Sequence, residues 1–517
     1  MSEEQNKFEK RKQEAQKRKR KLQKMQNSKI KPRTKHVLAV VGGALAAIIV
    51  VIALVFANAG FTRRMVTALE IGNEKVSSAE YSYYYIQQAI STYNTYVQML
   101  GSSYAPFDTG KSLDRQAYSD TQSWADYLSD SAISALRGIK TLVQAANEEG
   151  FTISEEGVET VERTMQSLQT YADSANMTLN RYLADVYGLG MDENLMRQTQ
   201  MDYQLALEYE EALKARPEYT DEDLEDYYQN SVYDTYTYVD LRYYEFAQEE
   251  ATDDSEGKTL EEAKAEADDF ISDIESAADY SRKIRALLRE EALENTDSED
   301  SSSEEEDFTD NTERIGVSRT SLESVDANLA EWAFAEERAV DDVAVVENED
   351  GTGYYAVYMV NTAYRNDYNT VNMRQIYIEV EDTEDEEAME EAKTRAEEIL
   401  QEWKDGEATE ESFAALADEE SDLSVEGGLY EQMAKGEGDI TDWLFDENRQ
   451  PGDTAVLESS GGYHVVYYIG QDEPYWKVQV ESAKRSEDYN NTYAELEEKY
   501  PVVEHAFGIW LRSEPFR

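Results

Sequence analysis

A segment of fourteen residues occurs twice in this chain of 517 residues, and this repeat limits the folds that the chain can adopt. The first copy, WAFAEERAVDDVAV, spans 332–345, and the second copy, WLFDENRQPGDTAV, spans 443–456, with seven identical positions. A tyrosine-flanked apolar strand follows each copy, at 353–360 and at 462–469. Because the order of strand, helical stretch, W-x-F helix and closing strand occurs twice, the sequence predicts two copies of one domain.

A similar strand also precedes each copy, VDLRYYEF at 239–246 and VNMRQIYI at 371–378. Antiparallel strands that alternate with helices are typical of a compact α+β domain with a small antiparallel sheet. We therefore predict an α+β fold with one such domain at 236–370 and a second at 371–475. The first contains an acidic run, 297–313, with nine acidic residues and no basic one, which predicts a disordered insert.

An uncharged apolar run at 37–57 is predicted to be a single transmembrane anchor, since 21 helical residues reach roughly 30 Å. Residues 1–36 hold 14 Lys and Arg against 4 Asp and Glu. The positive-inside rule therefore places 1–36 in the cytoplasm and the remainder outside the cell membrane. A signal peptide cleaved after Ala59 is the alternative, because Ala57-Asn58-Ala59 is similar to an A-x-A cleavage site. The long basic lead favours the uncleaved anchor.

Composition excludes several kinds of chemistry. The chain has no cysteine, so disulfides, thiolate metal sites and cysteine nucleophiles are absent. Of three histidines, His36 adjoins the apolar run and His505 lies near the C-terminus, which argues against a histidine metal cluster or a Ser-His-Asp triad. We expect no metal and no cofactor. We interpret the basic segment 1–36 as setting the orientation of the predicted transmembrane span and contacting lipid headgroups. We therefore expect no nucleic-acid partner.

Residues 58–235 are predicted to form a helical domain, with Ser78, Ser154 and Thr220 at helix starts and Gly150 at a helix end.

The second repeat resembles the parvulin type of peptidyl-prolyl isomerase over about 371–472. The matching pieces are the strand RQIYI, the helical LADEESD, Gly427-Gly428, the helix DWLFD, Pro451-Gly452 and the ending GGYHVV. The segment IGNEKVSSAEYSYYY resembles the start of extracytoplasmic foldases of the SurA and PrsA type. In that family a helical chaperone domain precedes one or two parvulin domains, and a C-terminal helix packs back onto it. The resemblance implies a C-terminal helical segment at 476–517, with this helix over 484–513.

The resemblance implies a site in the second repeat only. His464 would lie at its floor as one of a facing pair of histidines, with Gln375 in place of the other. Asp422 would lie near the usual Asp/Cys position, and Ser459 would occupy the usual hydroxyl position.

The same resemblance implies that Leu429, Ile440 and Phe445 wall the proline pocket, whereas the pocket methionine has no clear counterpart. In the first repeat, Tyr243 and Tyr355 take the two histidine positions, which predicts an inactive copy.

The sequence thus predicts a membrane-anchored foldase, extracytoplasmic and typical of a Gram-positive surface. It would bind unfolded or partly folded exported proteins and isomerise their X-Pro bonds. Two alternatives stay open: a holdase chaperone without turnover, and a surface scaffold that binds one fixed partner.

Overall fold

The computed structural model describes residues 3–26, 60–249, 257–294 and 309–516. The chain divides into two compact units, described separately below. The helical unit comprises Met1–Arg216 with Tyr489–Arg517, and the repeat unit comprises Pro217–Asp488. Within the described ranges, no helix is both long enough and apolar enough to cross a membrane. The predicted anchor at 37–57 lies outside the described residues.

Among the described residues up to Arg216, the helical unit has seven α-helices and a short hairpin. The helices are α1 (Glu3–Gln26), α2 (Gly60–Met65), α3 (Ser78–Leu100), α4 (Trp124–Glu149), α5 (Glu155–Ser174), α6 (Leu179–Tyr187) and α7 (Glu193–Ala215). The hairpin strands are β1 (Thr67–Ile71) and β2 (Glu74–Ser77). The core of this unit lies where α3 and α4 pack against β1, and it includes fully buried Leu69, Tyr81 and Leu128.

The helix boundaries follow capping chemistry. Ser154 and Gly150 take the predicted cap positions, and Gly150 adopts a left-handed φ of 74°. Helix α3 begins at Ser78, as predicted, and its N-cap is the preceding residue. Ser77 has the extended backbone of an N-cap, and its Oγ accepts a hydrogen bond from Glu80 N at 3.2 Å. Ser78 is buried inside the helix, where its hydroxyl donates to the Gly508 carbonyl.

The repeat unit contains both copies of the repeated domain. Its helices are α8 (Asp221–Tyr227), α9 (Tyr233–Tyr236), α10 (Leu260–Ile271), α11 (Ala277–Glu294), α12 (Arg319–Glu323), α13 (Ala327–Ala333), α14 (Glu386–Asp405), α15 (Glu410–Glu420) and α16 (Asp439–Leu444). Its strands are β3 (Tyr238–Ala247), β4 (Glu313–Ser318), β5 (Val343–Glu347), β6 (Gly353–Tyr364), β7 (Asn369–Glu379), β8 (Leu429–Met433), β9 (Thr454–Ser459) and β10 (Gly462–Pro474). Thr220 caps α8 as predicted.

The two sheets have the same topology. The first has the strand order β4-β3-β6-β5 and the second has the order β8-β7-β10-β9, with antiparallel pairing throughout. The predicted repeat of an α+β domain is therefore confirmed. The sequence pattern predicted the two central strands of each sheet but not the edge strands, which are only five or six residues long.

The fourteen-residue repeat is explained by contacts that connect the end of the W-x-F helix to the closing strand. In the second copy, the Arg449 guanidinium lies 3.7 Å from the Trp443 ring centroid and forms an ion pair with Asp453 at 3.5 Å. The Asp453 carbonyl in turn accepts from Tyr468 N of β10 at 2.9 Å. The equivalent residues of the first copy are Trp332, Arg338 and Asp342. These identical residues contact one another in both copies, so the repeat preserves the contact between this helix and the closing strand.

The acidic insert differs in part from its prediction. Residues 297–308 lie outside the described residues, but 309–313 belong to the fold. The buried carboxylate of Asp310 pairs with the Arg242 guanidinium at 2.5 Å, and Glu313 begins β4. A buried cation needs such a partner, so this end of the insert is ordered.

The C-terminal segment is not the single helix predicted over 484–513. Helix α17 (Tyr475–Lys499) ends before Pro501, and strand β11 (Val502–Glu504) and helix α18 (Ala506–Trp510) follow. In the helical unit, β11 pairs antiparallel with β1, and Tyr489 and Tyr493 of α17 pack against the cluster around Tyr209.

Candidate active site

The second sheet presents two different faces. One face is covered by α14 and α15, whose core residues pack against Ile376 and Val465. Side chains alternate along a strand, so the neighbours Gln375 and His464 project to the other face. In the antiparallel register, His464 lies opposite Tyr377. The candidate site therefore lies on the face away from α14 and α15.

His464 is held from both sides of its ring. Nδ1 lies 3.0 Å from Oε1 of Gln375, and Nε2 lies 3.1 Å from Oγ of Ser459. Because the Gln375 oxygen only accepts, Nδ1 carries the proton. The single hydroxyl proton of Ser459 is shared between His464 Nε2 and the Gly462 carbonyl, which lies 3.2 Å from Oγ. The Tyr377 ring lies alongside, with a centroid separation of 4.6 Å. The structure thus brings together three of the four predicted catalytic residues.

Burial lowers the pKa of His464 below its ordinary value of 6.5, because a partly desolvated ring disfavours the charged form. The imidazole is therefore neutral at pH 7. A neutral ring with both nitrogens hydrogen-bonded is suited to orienting a polar network and leaves no free nucleophile.

The glycine pair beside the site is required by close backbone packing. Gly428 has a φ of +59°, and a Cβ at this position would lie 2.1 Å from the Gln375 carbonyl oxygen. The Gly427 carbonyl accepts from Arg374 at 2.8 Å. A side chain at Gly428 would displace the strand that carries Gln375.

Asp422 has a different environment from the other three predicted residues. Its Oδ2 accepts from Glu379 N at 2.8 Å, and its own N donates to the Tyr377 carbonyl at 2.9 Å. The residue therefore holds the loop after α15 against the end of β7, next to Tyr377.

An apolar cluster on the same face lies beside the histidine network. Its buried members are Val371, Met373, Leu444 and Tyr468, and its half-buried members are Tyr430, Met433, Ile440, Trp443 and Phe445. Predicted pocket residues Ile440 and Phe445 belong to this cluster. The Phe445 ring packs edge-on against Tyr368 at 5.9 Å, and Lys435 lies 5.6 Å from its centroid.

Leu429 does not belong to this cluster. It lies opposite Arg374 in the register, and Arg374 projects to the face that carries α14 and α15. Its neighbour Tyr430 lies opposite Met373 and joins the cluster instead.

Sequence reasoning missed Tyr377, Tyr430 and Met433, and it found no pocket methionine. Side chains alternate between the two faces along β7 and β8, and this alternation indicates that Tyr377 and Tyr430 lie on the face of the site. Met433 had no such signal, because the register of β8 shifts before it.

The first repeat fills the equivalent space with its own side chains. By register, Tyr355 and Tyr243 take the positions of His464 and Gln375. Their rings pack edge-on with centroids 5.7 Å apart, and Tyr355 is buried. Leu322 of α12, a helix without an equivalent in the second repeat, belongs to the same core cluster. This face of the first repeat is a closed core.

Comparison with known families decides the class of the second repeat. Residues 357–471 match the model of the PPIC-type PPIASE domain, from within β6 to within β10. The chain contains a PPIC-type PPIase domain. The predicted parvulin-type isomerase class is thereby confirmed for this part of the chain, and the histidine network lies inside the PPIase domain.

Three solved structures are similar to larger parts of the chain. The foldase PrsA from Streptococcus pneumoniae str. Canada MDR_19A has 15% identity and a TM-score of 0.19, over 48% of this chain and 79% of that chain. A Campylobacter jejuni structure, described with the SurA-like chaperones PEB4 and Cj1289, has 8% identity and a TM-score of 0.21, over 85% and 99%. PrsA from Lactococcus lactis has 12% identity and a TM-score of 0.20, over 59% and 80%.

No conclusion about this chain rests on these structural likenesses, because their TM-scores are low. No curated protein sequence matches the chain.

Proposed function

We propose that this chain is a membrane-anchored extracytoplasmic foldase. Its PPIase domain would accelerate cis/trans isomerisation of X-Pro bonds in exported proteins, and its helical unit would hold unfolded segments. The observation that carries the proposal is the network of His464, Gln375 and Ser459 beside an apolar cluster, within a PPIC-type PPIase domain. The apolar run at 37–57 supports the anchor, and the basic lead supports the orientation.

The reaction needs no covalent intermediate. Rotation about an X-Pro bond passes through a twisted amide, and the barrier of about 18–20 kcal/mol reflects the loss of amide resonance. An apolar surface that binds the prolyl ring and a polar network that favours the twisted amide together lower this barrier. In this chain, Ile440 and Phe445 are proposed to contact the ring, and the His464 network is proposed to face the amide.

A groove in the helical unit supports the chaperone role. It encloses about 780 Å3, and its lining combines tyrosines, aliphatic side chains and two carboxylates. Representative lining residues are Tyr127, Ile139, Leu207, Glu210 and Tyr493. We propose that it binds extended segments that carry apolar side chains next to Lys or Arg. The carboxylates and the formal net charge of −61 favour basic clients.

Isomerase activity is tested by NMR exchange spectroscopy at an X-Pro bond of a short peptide, with the full chain in nanodiscs. We expect acceleration with the native chain and its loss in His464→Ala. His505→Ala is the matched control, because His505 lies in the helical unit. If folded native chain gave no acceleration, the catalytic proposal would be refuted and the holdase alternative would be favoured.

Client binding is tested by suppression of aggregation of a chemically unfolded protein. Leu207→Ser should weaken suppression, since Leu207 is exposed and lines the groove. Met99→Ser, an exposed residue outside the groove lining, should leave suppression unchanged. Equal effects of both substitutions would argue against the groove. Tight binding of one partner, without suppression of unrelated clients, would favour the scaffold alternative.

A further inference from the structure

Two short helices of the helical unit expose large apolar side chains. On α2, Phe61 is 57% exposed and Met65 is 70% exposed. On α18, Phe507 is 60% exposed and Trp510 is 69% exposed, and their rings stack with centroids 5.9 Å apart. Soluble proteins rarely expose several large apolar side chains close together. Four of them on two short helices therefore indicate an interaction surface. We call these four residues, three aromatic side chains and Met65, the aromatic patch.

The two helices are joined to each other. Arg63 of α2 donates from Nε to the carbonyl oxygen of Leu511, directly after α18, at 2.6 Å. The opposite side of α18 is tied to the core, because a Cβ on Gly508 would lie 2.1 Å from the Thr67 carbonyl oxygen. The apolar rings of α18 therefore point away from the core, beside α2.

The position of α2 in the chain identifies what lies near the patch. The apolar run ends at residue 57, and α2 begins at Gly60. Three residue steps of about 3.3–3.6 Å span about 10 Å at most. The polar headgroup layer on each side of a bilayer is about 5–8 Å thick. An anchor that crosses the bilayer therefore leaves α2 at the headgroup layer.

We propose that the aromatic patch docks the helical unit onto the outer surface of the membrane that holds the anchor. This inference rests on the proposed anchoring by 37–57. Tryptophan and other amphipathic aromatic side chains favour the membrane–water interface, where the ring is apolar on one side and hydrated on the other.

The charges near the patch are compatible with this surface. Arg63 and Arg64 lie on α2 itself, but Arg64 is ion-paired with Asp192 and Arg63 donates to the Leu511 carbonyl, so neither is a free cation at the patch. The large negative charge of the chain opposes docking, but exposed charges more than a Debye length away, about 8 Å in physiological salt, are largely screened. The docking surface therefore relies on exposed apolar side chains and not on free positive charge.

The proposal is tested by depth-dependent fluorescence quenching with the full chain in vesicles of phosphatidylcholine and phosphatidylglycerol. The chain has no cysteine, so Phe507→Cys and Trp510→Cys each give one labelling site. A polarity-sensitive fluorophore at these sites should emit at shorter wavelength in vesicles. It should also lose intensity when the lipids carry a nitroxide near the headgroup.

Glu211→Cys is the matched control. Helix α7 begins three residues after Gly190, whose added Cβ would lie 2.8 Å from the Gly60 carbonyl oxygen. Exposed Glu211 lies 18 residues along the helix from Glu193, about 27 Å from the helix end that follows Gly190. The label at 211 should keep its intensity.

Retention of the chain after an alkaline carbonate wash separates the two possible failures. A chain that is washed off the vesicles refutes the anchoring, and with it the docking. A retained chain whose labels at 507 and 510 are unquenched, or are quenched no more than the label at 211, refutes the docking alone.

Discussion

The side chains of His464 and Gln375, on the two central strands of the PPIase domain, are joined by a hydrogen bond of 3.0 Å between Nδ1 and Oε1. The first repeat has Tyr355 and Tyr243 at the equivalent positions, packed edge-on as part of a core. The same pair of strand positions therefore carries a polar network in one repeat and an apolar contact in the other.

Gln375→Glu should reverse the pKa shift of His464. Burial lowers this pKa below 6.5 in the native chain. A carboxylate within hydrogen-bond distance of Nδ1 favours the imidazolium, so the pKa should rise above that of the native chain. The measurement is an NMR titration of the histidine ring signals, with His464→Gln identifying the signal. A pKa that does not rise in the variant would contradict the observed pairing.

His464 should also contribute to the pH dependence of stability. Since its pKa is lowered on folding, the unfolded state binds more protons as the pH falls through about 6.5. The contribution of His464 to the free energy of unfolding is retained above pH 6.5 and is lost as the pH falls towards the pKa of the folded state. Urea denaturation at pH 7.5 and pH 5.5 should therefore show a smaller loss of stability for His464→Gln than for the native chain. An identical loss in both proteins would be inconsistent with a lowered pKa.

Gly428→Ala should disrupt the site and destabilise the PPIase domain. The new Cβ would overlap the Gln375 carbonyl, and the backbone at Gly428 is left-handed. We expect a loss of about 2 kcal/mol or more in the free energy of unfolding, as for other overpacked or strained positions. Gly436→Ala is the control, because its nearest heavy atom would lie at 3.6 Å. Thermal unfolding measures both, and equal midpoints would contradict the close approach.

Lys140→Met should strongly destabilise the helical unit. The buried Lys140 ammonium lies 2.7 Å from Glu80 and 2.5 Å from Asp202. Removing the only cation of this triad leaves the buried Glu80 carboxylate and the half-buried Asp202 carboxylate unpaired, which costs about 3–5 kcal/mol. Lys111→Met, which removes an exposed pair with Asp108, should leave the urea midpoint unchanged. Adding Glu80→Gln and Asp202→Asn should restore part of the lost stability. Without such recovery, unpaired charge would not be the cause.

The repeated segment predicted the repeated domain because the identical residues are the ones that contact each other. Arg449 contacts both Trp443 and Asp453, and this set of contacts requires the same spacing in both copies. The central strands were also predictable, because they are long and rich in apolar and aromatic residues. The membrane anchor and the domain boundaries drawn from the sequence stay predictions.

The sequence by itself determined the repeat, the central strands, the main helix caps and the presence of a parvulin-type isomerase domain, because these depend on local patterns and conserved spacing along the chain. Only the tertiary structure decided that Gln375 and Ser459 contact His464, that Leu429 lies outside the apolar cluster, and that Asp310 anchors the end of the acidic insert. The contacts of Gln375 with His464 and of Asp310 with Arg242 join residues that are remote along the chain, and Ser459 reaches His464 from the neighbouring strand β9. They form only when packing aligns the strands, and no local pattern records them.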